Sequence, residues 1–559
     1  MNKDYILNML LILMMGMVFG QSGPLDKPKL VVGIVVDQMR FDQLYKYENK
    51  YGANGFKKLM REGFNYKNTN KNYIPTFTAP GHASIYTGTT PSYHGIIGNV
   101  WYDRYKHGIR GNVEDSTELL VGTQLADNRG VSPRNLLTTT ISDELRMGNN
   151  MKSKVISVSL KDRGAILPGG HTANAAYWYD WESSPGYFVT SSYYMKQLPK
   201  WVTAFNKQEK ANAYLDTTWK TLFPVGEYTE SAADDNPYEP ALGGKSKPTF
   251  PYDFKGMRAK YKEKGTEYQL LLVSPDGNTM LTEFAMETIA NEKLGTDNDT
   301  DLINISYSVT DVIGHTFGPQ SVEMEDVFLR LDQNIASLLG YLDKNVGNGN
   351  YVLFLTSDHG SVPVASYLEA QKLPTGIARI GQFTNAVNGF LNSKYGSDHW
   401  IEYFKEDQLY LNRQVILART LDLATIQQEV ASFLMSMQGV RSAVTGHNLQ
   451  VMDYTSSTNE LLQNGYYAKR SGDVLLTFDA GIVQHANSAI NTTSVKGTTH
   501  GTGYTYDTQV PMLWYGFGIP HGESVRKVAT TDIAPSLAMF LNLQLPSGAT
   551  GEPLAEIFK

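Results

Sequence analysis

The stretch KLVVGIVVD, residues 29–37, is an apolar run that ends abruptly on a carboxylate. Successive strand side chains point to opposite faces, so a run with no polar face must be covered on both sides, as in a parallel sheet. Three more runs have this form: KVISVSL leads into Lys161, DLINISYS toward Asp311, and YVLFLTS into Asp358. Helical patterns separate them. The expected fold class is therefore α/β, with a mainly parallel central sheet flanked by helices. Ligands of open parallel sheets gather outside the carboxyl ends of the strands. Polar residues at four such ends mark one site.

The donors there are oxygen and nitrogen. Asp311 and His315 lie in TDVIGHTFGP, Asp358 and His359 in TSDHG, His500 in KGTTHGTG, and Asp37 completes the set. Six such donors suffice for two zinc ions with three protein ligands each, leaving open positions for a substrate and a nucleophile. Asp-His pairs are common, and Asp398-His399 is a decoy: it follows a polar KYGS stretch, whereas Asp358 follows an apolar run.

Composition narrows the function. The chain has 559 residues, enough for one large domain with insertions or for two to three lobes. Cysteine is absent, which excludes disulfides, thiolate ligands and a Cys nucleophile. The net charge of −7 offers no broad basic surface, so nucleic acid is not an expected partner. Residues 1–20, MNKDYILNMLLILMMGMVFG, read as a secretory signal peptide, which places the mature protein in the periplasm or outside the cell. The alternative is an N-terminal anchor, but the apolar stretch is shorter than the roughly 20 residues a span needs. No stable membrane span is expected after signal removal.

The site motifs fall in four blocks, at about 28–171, 268–362, 472–515 and the C-terminal tail, within a catalytic domain covering 21–559. Insertions are expected at about 177–267 and 363–471. The first, from YWYDWESSPGYF to NPYEPALGGKSKPTFPYDF, reads as a cap over the site whose aromatics pack a lid or line a substrate mouth. In the second, VILARTL, ATIQQEVASFLMSM and VRSAVTG read as strand, helix, strand in a separate lobe.

In PTFTAPGHASIYTG, residues 75–88, Thr78 precedes a short helix with Pro80 in its first turn. Its plain reading is an N-cap. Its functional reading is a metal-activated nucleophile at a helix N-terminus whose amides hold an oxyanion. Asn99 in HGIIGNVWY and Lys161 and Arg163 in SLKDRGAILPGG offer an amide, a point charge and a planar fork, donors suited to phosphoryl oxygens. For the two basic residues the plain reading is a solvated turn. His82, His94 and His171 flank these motifs and are assigned to packing or support.

In this order, the motifs VVDQMR, FTAPGHASIYTG, GIIGN, SLKDR, DVIGHTFGP, TSDHG and THGTG resemble the alkaline phosphatase superfamily, most closely its phosphate-irrepressible bacterial enzymes. The resemblance spans nearly all of the mature chain. It implies an alkaline-phosphatase-like fold and two zinc ions per chain. Asp311, His315 and His500 would hold one, and Asp37, Asp358, His359 and Thr78 the other. It also implies a monomeric phosphomonoesterase acting on small phosphate esters through a phosphothreonine, with Asn99, Lys161 and Arg163 binding the transferred group.

The nearest rival is a phosphodiesterase or nucleotide pyrophosphatase of the same superfamily. A dianionic monoester rewards the extra cations Lys161 and Arg163, whereas a diester carries less charge. A sulfatase is disfavoured because its nucleophile derives from Cys or Ser. A non-catalytic metal- or ligand-binding ectodomain is the remaining alternative.

Overall fold

A computed structural model describes residues 27–123, 130–182, 186–485 and 492–558. The signal peptide expected at 1–20 lies outside them. Eight strands make the body of the central sheet: β1 (Leu30–Val36), β2 (Phe64–Asn70), β3 (Val155–Ser159), β4 (Ala175–Asp180), β5 (Tyr187–Ser191), β6 (Asp301–Tyr307), β7 (Tyr351–Thr356) and β8 (Gln509–Gly516). Their spatial order is β2-β8-β7-β1-β6-β3-β4-β5, with short strands at both edges. From β7 to β4 neighbours run parallel, whereas β8 and β5 are antiparallel to theirs.

The apolar runs are continuous because both faces are covered. Leu30, Val32, Ile34 and Val36 enter one core cluster, while Val31 and Val35 enter another on the opposite face. Likewise Leu353 and Leu355 face one way, and Val352 and Phe354 the other. Burying each such side chain contributes about 1.5–3 kcal/mol.

Register brings the strand ends to one level. Val35 pairs with Ser306 and Thr356, and Ser306 pairs with Ser159. The chain therefore leaves β1, β6, β7 and β3 along a common edge, and Asp37, Asp311, Asp358 and Lys161 all follow within a few residues. Three helices line that edge: α1 (Thr78–Thr87), α2 (Asp162–Gly169) and α3 (Val309–Phe317).

The segment expected from 177 as a cap begins inside the sheet, as most of β4 and all of β5. Tyr177 and Tyr179 are core residues, and Phe188 stacks on Phe284 at 3.9 Å. Farther along, Trp219 donates to Asp326 at 2.7 Å and packs into the same cluster. Much of this region thickens one face of the core. Its start reaches the strand-end edge, where Trp178 and Trp181 line a cavity of about 340 Å3 beside Lys161 and Arg163, and Tyr252 packs on Phe317 at the end of α3.

The second lobe has its own four-stranded antiparallel sheet, from Ile401–Lys405, Gln408–Leu411, Val474–Phe478 and Val440–Thr445, and its own core. Its last-arriving strand, Val474–Phe478, comes from beyond residue 471. The strand expected at VILARTL is instead a helix over Arg413–Ala418, because the Asn412 side chain accepts the Val415 N–H at 3.1 Å and caps it. The strand lies just ahead, at Gln408–Leu411. The expected helix and following strand are found at Leu423–Met435 and Val440–Thr445.

Candidate metal centre and nucleophile

The six donors converge from positions far apart in the chain. Asp37, Asp358 and His359 form one group whose ligand atoms lie within 4.8 Å of one another, and Asp311, His359 and His500 form a second. All five residues are buried. His359 belongs geometrically to both groups and stacks on His500 with ring centroids 3.6 Å apart. His315 is half-exposed, with its Nε2 at 3.2 Å from Asp311 Oδ1.

The backbone fixes the same nitrogen in each ring. Nδ1 of His359 faces the Gly360 carbonyl at 3.0 Å, that of His315 the Thr498 carbonyl at 2.9 Å, and that of His500 the Thr76 carbonyl at 2.8 Å. Each Nδ1–H is thereby committed as a donor, and Nε2 keeps its lone pair for the cluster. Burial pushes the pKa values of His359 and His500 down, which favours the neutral ligand form.

The carboxylates carry the complementary charge. Burial opposes ionisation of Asp311 and Asp358, but His315 and Lys161 beside the first, and His359 and His82 beside the second, outweigh it and hold both well below the usual range. Burial, together with the neighbouring charges of Asp311 and Asp358, pushes Asp37 well up. Asp37 Oδ1 and Asp358 Oδ2 are buried, and they lie 3.5 and 3.6 Å from His359 Nε2. Three carboxylates beside one ammonium, with Asp37 Oδ1 in no hydrogen bond and Asp358 Oδ2 facing the imidazoles of His82 and His359, are a donor set that fits divalent cations.

Lys161 sits inside this cluster, its Nζ 2.6 Å from Asp37 Oδ2 and 2.5 Å from Asp311 Oδ2. The solvated-turn reading therefore does not hold for it. Arg163, which opens α2 with Asp162, lies between two cavities: the one beside Trp178, and one of about 460 Å3 that Asn99 also lines. Its Nε is buried without a partner.

Thr78 is the first residue of α1, which has no side-chain cap, so it is not the expected N-cap. Its Oγ1 is 3.4 Å from His359 Nε2. The Asn99 side-chain oxygen accepts the Ala79 N–H at 3.0 Å, which places Asn99 beside Thr78 and leaves its amide NH2 as the outward donor.

His82 supports the site. Its Nδ1 lies 2.9 Å from the Thr78 carbonyl and 3.3 Å from Asp358 Oδ2, and its Nε2 is 2.8 Å from Ser306 Oγ. His94 packs against Ser84, and His171 meets Tyr193 through its carbonyl. The decoy Asp398 pairs with Arg419 on the second lobe, and its neighbour His399 is exposed.

Two residues escaped the sequence reading. Gln38, held at φ 64°, donates its Nε2 to Asp311 Oδ1 at 2.6 Å and its backbone N–H to Asp358 Oδ1 at 3.1 Å, tying the two carboxylates together. Its position directly after Asp37 was the available signal. Gly81 lets α1 approach β7: a β-carbon there would lie 2.6 Å from both the Cβ and the carbonyl oxygen of Asp358. Gly81→Ala is therefore expected to push α1 away at a cost of about 1–3 kcal/mol and to lower metal content, as checked by urea unfolding and elemental analysis. Wild-type values for both would remove the close approach from the account.

Residues 31–503 match the family described as type I phosphodiesterase / nucleotide pyrophosphatase. Alkaline phosphatase PhoV of Synechococcus elongatus is 42% identical over 95% of this chain and 93% of the relative. Alkaline phosphatase PafA of Elizabethkingia meningoseptica is 39% identical over 99% of both. A Myroides odoratus protein named as a calcium-transporting ATPase is 40% identical over 96% of this chain and 95% of the relative. The crystal structure of wild-type PafA superposes with a TM-score of 0.89 at 39% identity, covering 96% of this chain and 100% of that one. The fold is thus the mainly parallel, helix-flanked sheet of that alkaline phosphatase.

Proposed function

Because the chain belongs to the type I phosphodiesterase / nucleotide pyrophosphatase family, within the alkaline phosphatase superfamily, we propose that it is an exported, two-zinc phosphomonoesterase acting as a monomer on small phosphate esters. The observation that carries this reading is a pair of buried carboxylate oxygens, Asp37 Oδ1 without a hydrogen bond and Asp358 Oδ2 beside His82, gathered with the Thr78 hydroxyl around His359 Nε2. A cation trap that ends on a hydroxyl nucleophile favours ester hydrolysis over the ion transport in the Myroides relative's name.

Two divalent ions, when bound, supply Lewis acidity that lowers the pKa of a hydroxyl and of water and stabilises a leaving oxygen. Asp311, His315 and His500 would hold one, and Asp37, Asp358 and His359 with Thr78 the other. Thr78 Oγ attacks phosphorus in line, the P–O bond to the alcohol breaks, and a phosphothreonine forms. Water then attacks that phosphorus and returns the hydroxyl to Thr78, releasing inorganic phosphate. The Asn99 amide, Arg163 and Lys161 donate to the equatorial oxygens, where positioning and electrostatics provide most of the rate gain. Export rests on the apolar N-terminal stretch.

A phosphodiesterase is the second reading, favoured by the cavity that Trp178 and Trp181 line beside Arg163, which has room for a second substituent. Arg163 separates the two. Arg163→Ala is expected to cost monoester turnover about 2–4 kcal/mol and diester turnover far less, because a diester replaces one charged oxygen with an alkoxy group. The measurement is kcat/KM for matched aryl mono- and diesters. Equal losses would leave the monoesterase assignment to the relatives alone. Lys161→Ala should show the same bias together with altered metal content, because Lys161 also touches Asp37 and Asp311.

A further inference from the structure

The second lobe reaches the site through one turn. Glu406 and Asp407 join the strands Ile401–Lys405 and Gln408–Leu411, and both hold positive φ, at 51° and 60°. Two-residue hairpin turns with both central residues left-handed favour Asn, Asp and Gly, so the longer Glu406 costs backbone energy there. Strain retained at a buried position is a pointer to what its side chain does.

Glu406 is buried and leaves its own lobe. Its Oε2 accepts the Asn99 N–H at 3.0 Å, and the Val100 amide stabilises the same carboxylate. Gly98 completes the seat, since a β-carbon there would collide with the same oxygen. The Asn99 carbonyl is held as well, by the Asn112 N–H at 3.2 Å and the Asn112 side-chain amide at 2.7 Å. With its oxygen committed to Ala79, Asn99 is gripped at every polar atom except the outward NH2. Among these contacts Glu406 alone comes from the second lobe.

We propose that Glu406 is a positioning residue that fixes the Asn99 peptide, so that the second lobe helps to build the clamp on the transferred phosphoryl group. This rests on the reading of Asn99 given above. Burial, opposed by Lys405 and by the Asn99 and Val100 amides, raises the Glu406 pKa to about 7, so a neutral amide oxygen can serve in its place.

The test compares metal-loaded wild type, Glu406→Gln, Glu406→Asp, Asn99→Ala and the Glu406→Asp/Asn99→Ala pair on one aryl phosphate monoester. Glu406→Asp keeps the charge but withdraws it by one methylene. It should lower kcat/KM about 10-fold or more, as a displaced clamp does, with metal content and unfolding midpoint near wild type. Glu406→Gln should stay within about 3-fold because it still accepts the N–H. In the Asn99→Ala background, Glu406→Asp should cost less than about 2-fold, since residues acting through one another are not additive. The same loss in both backgrounds, or a Gln variant as impaired as the Asp variant, overturns the proposal while leaving Asn99 in the clamp. Full turnover in Asn99→Ala overturns both.

Discussion

Thr78→Ala should lower kcat/KM for an aryl phosphate by several orders of magnitude while the protein stays folded and keeps its metals. The reason is that no other hydroxyl is described at this place in the cluster: Thr78 Oγ1 lies 3.4 Å from His359 Nε2, at the start of α1. The alternative, a simple cap, predicts the reverse, a loss of about 1 kcal/mol of stability with chemistry intact. α1 has no side-chain cap to lose, so unfolding should scarcely move. Thr78→Ser retains the hydroxyl and should keep substantial turnover. Mass spectrometry of acid-quenched wild type with substrate should find phosphate on Thr78. A stable Thr78→Ala protein with wild-type turnover would end the nucleophile reading.

Exhaustive chelation should abolish turnover, and zinc should restore it. His359 Nε2 lies 3.4 Å from Thr78 Oγ1 with its lone pair free, but burial holds the ring below its ordinary pKa, which makes it a weak base toward a hydroxyl. Activation of a hydroxyl at modest pH therefore falls to bound cations. Replacing His500 or Asp311 should remove about one metal per chain if each belongs to a three-ligand site. Elemental analysis beside the turnover assay decides the matter. Full activity in metal-free protein would overturn the mechanism, and a His500→Ala protein that keeps both metals would move His500 out of the ligand set.

Much of this architecture was legible because burial on both faces writes itself into a strand as an uninterrupted apolar run. β1, β3, β6 and β7 were readable for that reason, and so were the polar residues just past their ends. The antiparallel members were not. β2, FNYKNTN, is largely polar because it lies near the sheet edge, and nothing local announces its partner. At 415–421 an apolar run reads as a strand because a short apolar segment looks alike in either state, and the deciding residue, Asn412, stands outside it. The donors of the site declared themselves by type and position. Gln38 and Glu406 did not, since each works through partners hundreds of residues away, Asp358 for one and Asn99 for the other.

The pairing of β2 has a consequence for how the chain reaches this state. β2 bonds to β8 and to the short stretches 522–524 and 528–529, all of which follow it by hundreds of residues. An amino-terminal fragment thus carries a strand whose partners do not yet exist, and the same fragment lacks His500. Contacts of such long sequence separation slow folding, and unpaired edges invite aggregation while they wait. Activity that needs the completed site should therefore appear late and all at once rather than build up with chain length.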